Sequence, residues 1–480
     1  MRKNIVAVLL MLSVCTANIT PVLALGEVEK KAKVETNEEA PKKLTRAEKK
    51  SIKEAKKIKQ AKVKLDYINM PWFEQFNDDY LNGYILKAVL NNKDAQMATL
   101  AVDEYYHAAK AQFAGQLPTV NAGFLPAYFD NDGLKSAGLD GWHFAMPVMV
   151  NYELDLFLKN SDKTKSAKKL YEGSIIDERA AYIGIASAVA NIYFNIVKLD
   201  EIIDIQESIV ELRKEIYEMM QISNQEGIVS TSDLVKAHKA YVAGQTDLTD
   251  MKKNRSLLLN RLAVMIGESA DKAETFERSK YADIKFSGVI PDEIASSAIT
   301  KRPDYMKAEK MVEKVGIDVR VAKKEFLPAL NIGGLALFNA SDLGSLLTTN
   351  NVIWGLTGGV FANLFTGGKK MANLKIKKSE YERVLKQYEK TNLVAIQEIN
   401  DSLVSIKNDK QKFEDTEKIL KLELKDYRMA ELKYENGVIS KLDLNQVKEN
   451  LLDVNKLIVA NNCELWTDYL SLYKAVGSDL

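Results

Sequence analysis

Hydrophobic positions recur at alternating steps of three and four over the longest stretches of the chain. Ile202, Ile205, Ile209, Leu212, Ile216 and Met219 form one stripe, and Leu234, Ala237 and Tyr241, then Leu248 and Met251, then Leu258 and Leu262 form another. Leu444, Val447, Leu451, Val454, Ile458, Leu465 and Leu472 repeat the second stripe further on. Lys and Glu fill the positions between, which is the pattern of long coiled-coil helices and not of a ligand box. One helix over about 163 to 224 would run ~90 Å at 1.5 Å per residue, more than a compact domain needs.

Two regions carry the other period. Phe144, Met146, Val148, Val150, Tyr152, Leu154 and Leu156 alternate with a face that includes Asn151, Glu153 and Asp155. Thr119 to Phe129 alternates through Val120, Ala122, Phe124 and Tyr128, and Leu330 and Ile332 with Val352, Trp354, Leu356, Val360 and Leu364 outline a second pair. Such alternation over about ten residues predicts transmembrane β-strands, and Tyr128, Phe129 and Trp142 suit an interfacial girdle. Pro126 and Pro147 sit awkwardly inside these strands. Four strands per chain cannot close in lipid, so the strands predict an oligomer: two chains give eight strands around a filled interior, three give twelve around a lumen.

These elements occur twice. A shift of 210 residues lays Asp94, Ala98, Val102, Leu117, Pro118, Asn121 and Gly123 onto Asp304, Ala308, Val312, Leu327, Pro328, Asn331 and Gly333. It also lays Gly227, Ser230, Asp233, Leu234, Leu262 and Gly267 onto Gly437, Ser440, Asp443, Leu444, Leu472 and Gly477, with a two-residue slip near Phe157 and Phe365. The chain therefore reads as two copies of one unit, 70–267 and 301–477, with 268–300 as connector. Each copy opens with a helix, near 78 to 115 and 302 to 325, ended by Leu-Pro because proline cannot continue a helix. A strand pair follows, then two long helices joined at Gly227 or Gly437.

Arg2 and Lys3 precede the apolar run Ile5 to Val14, and Val22-Leu23-Ala24 suits a signal peptidase, so residues 1–24 read as a signal peptide. Leu12-Ser13-Val14-Cys15 leaves a lipidated Cys15 open as the alternative. Residues 25–69, rich in Lys, Glu and Ala, read as a charged linker. No later stretch has 18 uninterrupted apolar residues.

The remaining chemistry is sparse. With 67 Lys plus Arg against 66 Asp plus Glu in 480 residues, the net charge of +1 excludes a nucleic-acid partner as the main role. Two Cys and three His exclude a disulfide scaffold and argue against a metal site. His-Glu-x-x-His and Gly-x-Ser-x-Gly are absent, and Gly367-Gly368-Lys369-Lys370 lacks the form of a phosphate loop, so no enzyme and no cofactor is expected. That basic cluster, between a strand and a helix, instead marks a membrane boundary. A secreted coiled-coil scaffold or adhesin stalk would share the heptads without explaining the alternating strand pairs.

Trp72-Phe73-Glu74-Gln75-Phe76 with Leu81, Tyr152 to Phe157, Arg302-Pro303-Asp304 with Ala308-Glu309, Leu327-Pro328 and Tyr434 to Ser440 closely resemble TolC-like outer-membrane efflux proteins. The resemblance spans about 70 to 477, and its most specific element is the pair of Gly-x-x-Ser-x-x-Asp turns. It implies a homotrimer with a twelve-stranded β-barrel in the outer-membrane lipid and an α-barrel crossing the periplasm. It also implies a periplasmic adaptor and an inner-membrane pump as partners, with the duct itself passive. By the same resemblance Asp443 matches an acidic ring at the duct's tip, with Asp233 as its counterpart and Tyr434 as a bonding residue of the closed gate. Ile439 stands where the family has an arginine, so another latch is expected. From the residues alone, either aspartate is a first-turn carboxylate favoured by its helix. Gly227, Ser230, Gly437 and Ser440 mark the tips where an adaptor would dock.

Overall fold

The computed structural model describes residues 64–130, 141–363 and 365–478. The signal segment with Ala24 and Cys15, and Leu364, lie outside the described residues. Among the described residues, eight α-helices and five strands are built from the two periods. They are α1 (Met70–Glu74), α2 (Asp79–Asn91), α3 (Lys93–Ala114), β1 (Thr119–Ala122), β2 (Leu125–Phe129), β3 (Gly141–Leu154), α4 (Lys159–Gln225) and α5 (Thr231–Met265). After a connector of short 3-10 turns come α6 (Pro303–Lys324), β4 (Ala329–Ala340), β5 (Val352–Phe361), α7 (Lys369–Glu435) and α8 (Lys441–Val476). Counterparts at the 210-residue shift match in length: α3 and α6 have 22 residues each, α4 and α7 have 67 each, and α5 and α8 have 35 and 36. A 67-residue helix is ~100 Å long.

The helix expected over 78–115 is two helices. Asn92 closes α2's final backbone turn, its N–H donating to Ala88 O at 2.8 Å, and its side chain then caps α3 by accepting from Ala95 N at 3.0 Å. Its Nδ2 donates to Met265 O at 2.8 Å, which pins the joint to the end of α5. The equivalent residue in the second half, Arg302, donates from Nη1 to Ala475 O, at the equivalent place on α8.

The strand expected over 119–129 is likewise broken. β1 and β2 both pair with β3, antiparallel, Ala122 opposite Val148 and Leu125 opposite Ala145. The break at Gly123 and Phe124 faces Pro147, whose nitrogen carries no hydrogen to donate. Gly123 N donates to Pro147 O at 2.9 Å instead, and Pro126 lies on this edge where no ladder bond is lost. β3, β4 and β5 continue the antiparallel sheet, with Leu154 opposite Leu330 and Ala329 opposite Phe361. All four helix–strand junctions therefore fall at one end of the sheet, where Lys159, Lys323, Lys324, Lys369 and Lys370 gather. The sheet remains open at β1–β2 and at β5, and Trp354 and Leu356 stand 70% and 77% exposed on the latter.

The main core lies on α4, α8 and the short helices. Trp72, Phe73, Phe76, Phe194, Trp466 and Tyr473 form its aromatic centre, with Trp72 stacked on Tyr473 at 4.7 Å. Asp78 caps α2 through Tyr80 N and Leu81 N and accepts the Tyr193 hydroxyl at 2.6 Å. Burial, with that carboxylate beside it, pushes the Tyr193 phenol well above its ordinary pKa. One stretch of α4 is apolar enough to cross a membrane, yet its Ile183, Ala186, Val189, Ala190, Phe194 and Val197 are buried in this core. Cys463 is buried there too, and burial pushes its thiol up to about 12.

On α8, Asp468 is pushed up to about 7, first by burial and then by the Asp409 carboxyl beside it. Its Oδ2 is buried and faces no donor, so a shared proton suits the pair. Because this folded pKa is raised, the carboxyl adds no penalty below its ordinary unfolded value and an increasing one as pH rises from there toward 7. Asp468→Asn is expected to raise the thermal midpoint at pH 8 and leave it little changed at pH 4. With the residue only partly buried, solvent screening holds the gain to about 1 kcal/mol. An equal shift at both pH values in circular dichroism melts would contradict this.

Candidate functional site

The two hairpin tips, Gly227 to Asp233 and Gly437 to Asp443, share one geometry. α4 ends at Gly227 with φ 71° and α7 at Gly437 with φ 72°, left-handed values that glycine adopts without strain. Ile228 N donates to Ser223 O and Val438 N to Lys433 O, both at 2.8 Å, closing each helix with a six-to-one bond. The side chains of Ile228 and Val438 stand exposed at the turns. Ser230 and Ser440 then cap α5 and α8, their hydroxyls accepting from Asp233 N and Asp443 N at 3.1 Å.

The two aspartates differ in what surrounds the same bond. Ser440 donates to Asp443 Oδ2 from its hydroxyl at 2.7 Å and from its backbone at 3.0 Å, a reciprocal capping box. Asp233 Oδ2 accepts from the Ser230 hydroxyl at 2.7 Å, and its Oδ1 is paired with Lys236 at 2.9 Å. The position equivalent to Lys236 is Gln446, and among the described residues no cation forms an ion pair with Asp443. The Ser440 bonds hold the Asp443 carboxyl below the ordinary range; the Ser230 hydroxyl and then Lys236 do the same for Asp233. Both are carboxylates at neutral pH. Tyr434 lies at the same tip, with Lys441 Nζ 5.8 Å from the centre of its ring.

Above the tips, a clamp joins the two hairpins that sequence reading did not single out. Arg213 on α4 donates from Nε at 2.9 Å and Nη2 at 2.7 Å to Glu449 Oε1 on α8, and from Nη1 at 3.2 Å to Ala240 O on α5. Gly244 lies against it, where an added Cβ would stand 3.3 Å from Arg213 Nη1. Gln206 extends the seam, accepting from Lys456 at 2.8 Å and donating to Gly244 O at 3.1 Å. The partners on α8, Glu449 and Lys456, lie more than 200 residues from Arg213 and Gln206, and no local motif signals them. Among the described residues no His, Cys, Asp or Glu group could hold a metal ion.

The family model described as outer membrane efflux protein matches residues 85–268 and 294–478. The chain belongs to the outer membrane efflux protein family. The two matched segments put one family unit on each half of the chain, and each ends one residue past the glycine that follows α5 or α8. Among curated relatives, the probable efflux pump outer membrane protein TtgC of Pseudomonas putida is 25% identical over 414 residues, covering 85% of this chain and 84% of its own. The cation efflux system protein CusC of Escherichia coli is 22% identical over 418 residues, covering 86% and 89%. The solved Campylobacter jejuni CmeC outer membrane channel superposes with a TM-score of 0.76 at 23% identity, covering 86% of this chain and 88% of that one. The fold is thus that of the TolC-like channels: mainly helical, with a strand pair in each half.

Proposed function

We propose that this chain is the outer-membrane exit duct of a tripartite efflux system, a passive trimeric channel spanning the outer membrane and reaching into the periplasm. The observation that carries the reading is a sheet four strands wide, with β1 and β2 sharing one edge, open at both edges and apolar outside, that runs directly into 67-residue helices in a chain of this family. Open edges in lipid leave backbone groups unpaired, so β5 of one copy pairs with β1 and β2 of the next until the sheet closes. Three copies give twelve strands and a lumen. The lysines at the helix–strand junctions lie at the inner boundary of the bilayer. The internal repeat, 70–267 and 301–477, makes the trimer's helical section a ring of six similar units.

In this duct the tips Gly227 to Ser230 and Gly437 to Ser440 reach farthest into the periplasm and offer Ile228 and Val438 to an adaptor, which links the duct to its inner-membrane pump. TtgC and CusC carry efflux in their names, and efflux in place of polypeptide export is assigned on that ground. The native mass of protein extracted from washed outer membranes in mild detergent tests the proposal. A threefold multiple of the mature chain is expected. Recovery as a soluble species without detergent would remove the channel and leave a coiled-coil scaffold.

Asp443 is assigned to the tip constriction because no cation among the described residues pairs with it, and Asp233, neutralised by Lys236, to a lesser role. Three such carboxylates round one axis attract cations and repel one another. Asp443→Ala is expected to raise conductance or reduce cation preference in a planar bilayer, and Asp233→Ala to change both less. Unchanged current and selectivity in the Asp443 variant would reject the assignment.

A further inference from the structure

The two halves of the chain match in register but not in surroundings. α4 is packed by α3 and α5 of its own half and by α6 and α8 of the other, whereas α7 packs against α6 and α8 of its own half. Ile183, Ile209 and Leu212 on α4 are buried, yet 210 residues on, Leu393, Ile419 and Leu422 on α7 are 68%, 44% and 66% exposed. The neighbours that α7 lacks are the counterparts of α6 and α8, namely α3 and α5. Both carry exposed apolar residues of their own, Met97 and Leu100 on α3 and Val235 and Val242 on α5. In this chain α3 and α5 are engaged with α4, so those that cover α7 belong to a second copy.

We infer that α5 of one copy seats on α7 of the next in the register of the internal α8–α4 contact, and that Lys239 there pairs with Glu423 across the subunit boundary. The internal contact is held by Arg213 on α4 and Glu449 on α8. Shifting each residue by 210 puts Glu423 on α7 and Lys239 on α5: the same pair with its signs exchanged. No described residue forms an ion pair with Lys239 or Glu423 within the chain, and Lys239 is exposed.

The exchange of signs has a physical use. The four long helices are similar enough that a wrong neighbour could be accepted on apolar contacts alone. In this register α4 against α5 of another copy would set Arg213 against Lys239, and α7 against α8 of another copy would set Glu423 against Glu449. Both wrong seams bring like charges together, and the alternating order of halves brings opposite charges together at every seam. The six-unit ring would carry the clamp at each seam, three within chains and three between them.

This inference rests on the side-by-side assembly proposed above, and a charge-reversal cycle separates the two. Lys239→Glu and Glu423→Lys, each in the full-length protein in detergent, are expected to weaken the trimer, by up to about fivefold in equilibrium at each seam. The double variant is expected to restore most of the loss. As a second readout, Lys239→Cys with Glu423→Cys in one chain should give dimer and trimer bands with a short bismaleimide, and neither single variant should. A trimeric wild type whose two reversals are additive, or whose double cysteine variant stays uncrosslinked, overturns the pairing and leaves the duct. A wild type with the mass of one chain overturns both.

Discussion

Replacing Arg302 by alanine is expected to cost about 3–5 kcal/mol of stability, the loss that follows when one partner of a buried ion pair is removed. The residue is 5% exposed, and its guanidinium joins three elements. Nε and Nη2 donate to the two oxygens of Asp304 at 3.0 and 2.7 Å, Nη2 also reaches Glu398 Oε2 on α7 at 2.6 Å, and Nη1 holds the Ala475 carbonyl at the end of α8. Alanine strands two carboxylates and a carbonyl at once. Water reaches the carboxylates, whose side chains are 46% and 51% exposed, which places the loss at the lower end of that range. Lysine keeps the charge but cannot bridge three acceptors in a plane, so Arg302→Lys should fall between. Thermal melts of the detergent-extracted protein followed by helical ellipticity measure it. A loss below about 1 kcal/mol would mean that the junction is held by packing and not by this fork.

Gly267→Ala is expected to cost about 2–4 kcal/mol, for a reason that its turn conformation alone does not supply. Gly267 has φ +73°, and a Cβ there would lie 2.6 Å from the Asn91 backbone oxygen, which cannot swing aside as a side chain would. The end of α5 would have to lift off the joint between α2 and α3, and the bond from Asn92 to Met265 O would go with it. Gly227 provides the control. Its φ is +71°, yet nothing lies within 4 Å of a Cβ, so Gly227→Ala should cost about 1 kcal/mol. Equal losses in the two variants would show that conformation and not contact sets the value. Gly477, where an added Cβ would lie 3.0 Å from Pro303 Cδ at the matching joint of the second half, should fall between them.

What could be read in the sequence follows from how local each signal is. The stripes at 202–219, 234–262 and 444–472 fall on α4, α5 and α8, because their apolar faces are decided residue by residue along one helix, and α7 follows only from the repeat. The strands are legible in the alternation from Phe144 to Leu154, but the break at Gly123 is not, since it comes from Pro147 on the neighbouring strand. Asn92 is open to reading: an asparagine followed by Lys-Asp is an N-cap signature within the helix expected over 78–115. At the tips, Ser440 and Asp443 lie within one turn, so the capping box is a local property. The Arg213 clamp joins residues 236 positions apart and becomes visible only when the helices are folded. Its sign-exchanged counterpart needed both the fold, to supply the register, and the repeat, to supply the shift.

The buried thiol of Cys463 makes this chain a ready background for site-directed labelling. A thiol held up near 12 and sealed among Trp466 and its neighbours is almost wholly protonated at the pH of maleimide coupling, and the reactive form is the thiolate. At the other end of the sequence, the expected signal cleavage after Ala24 would remove Cys15, and lipidation would consume its sulfur. A cysteine introduced at Val438 would then be the one that reacts, so spin labels or fluorophores on the hairpin tips could report opening without first mutating the core.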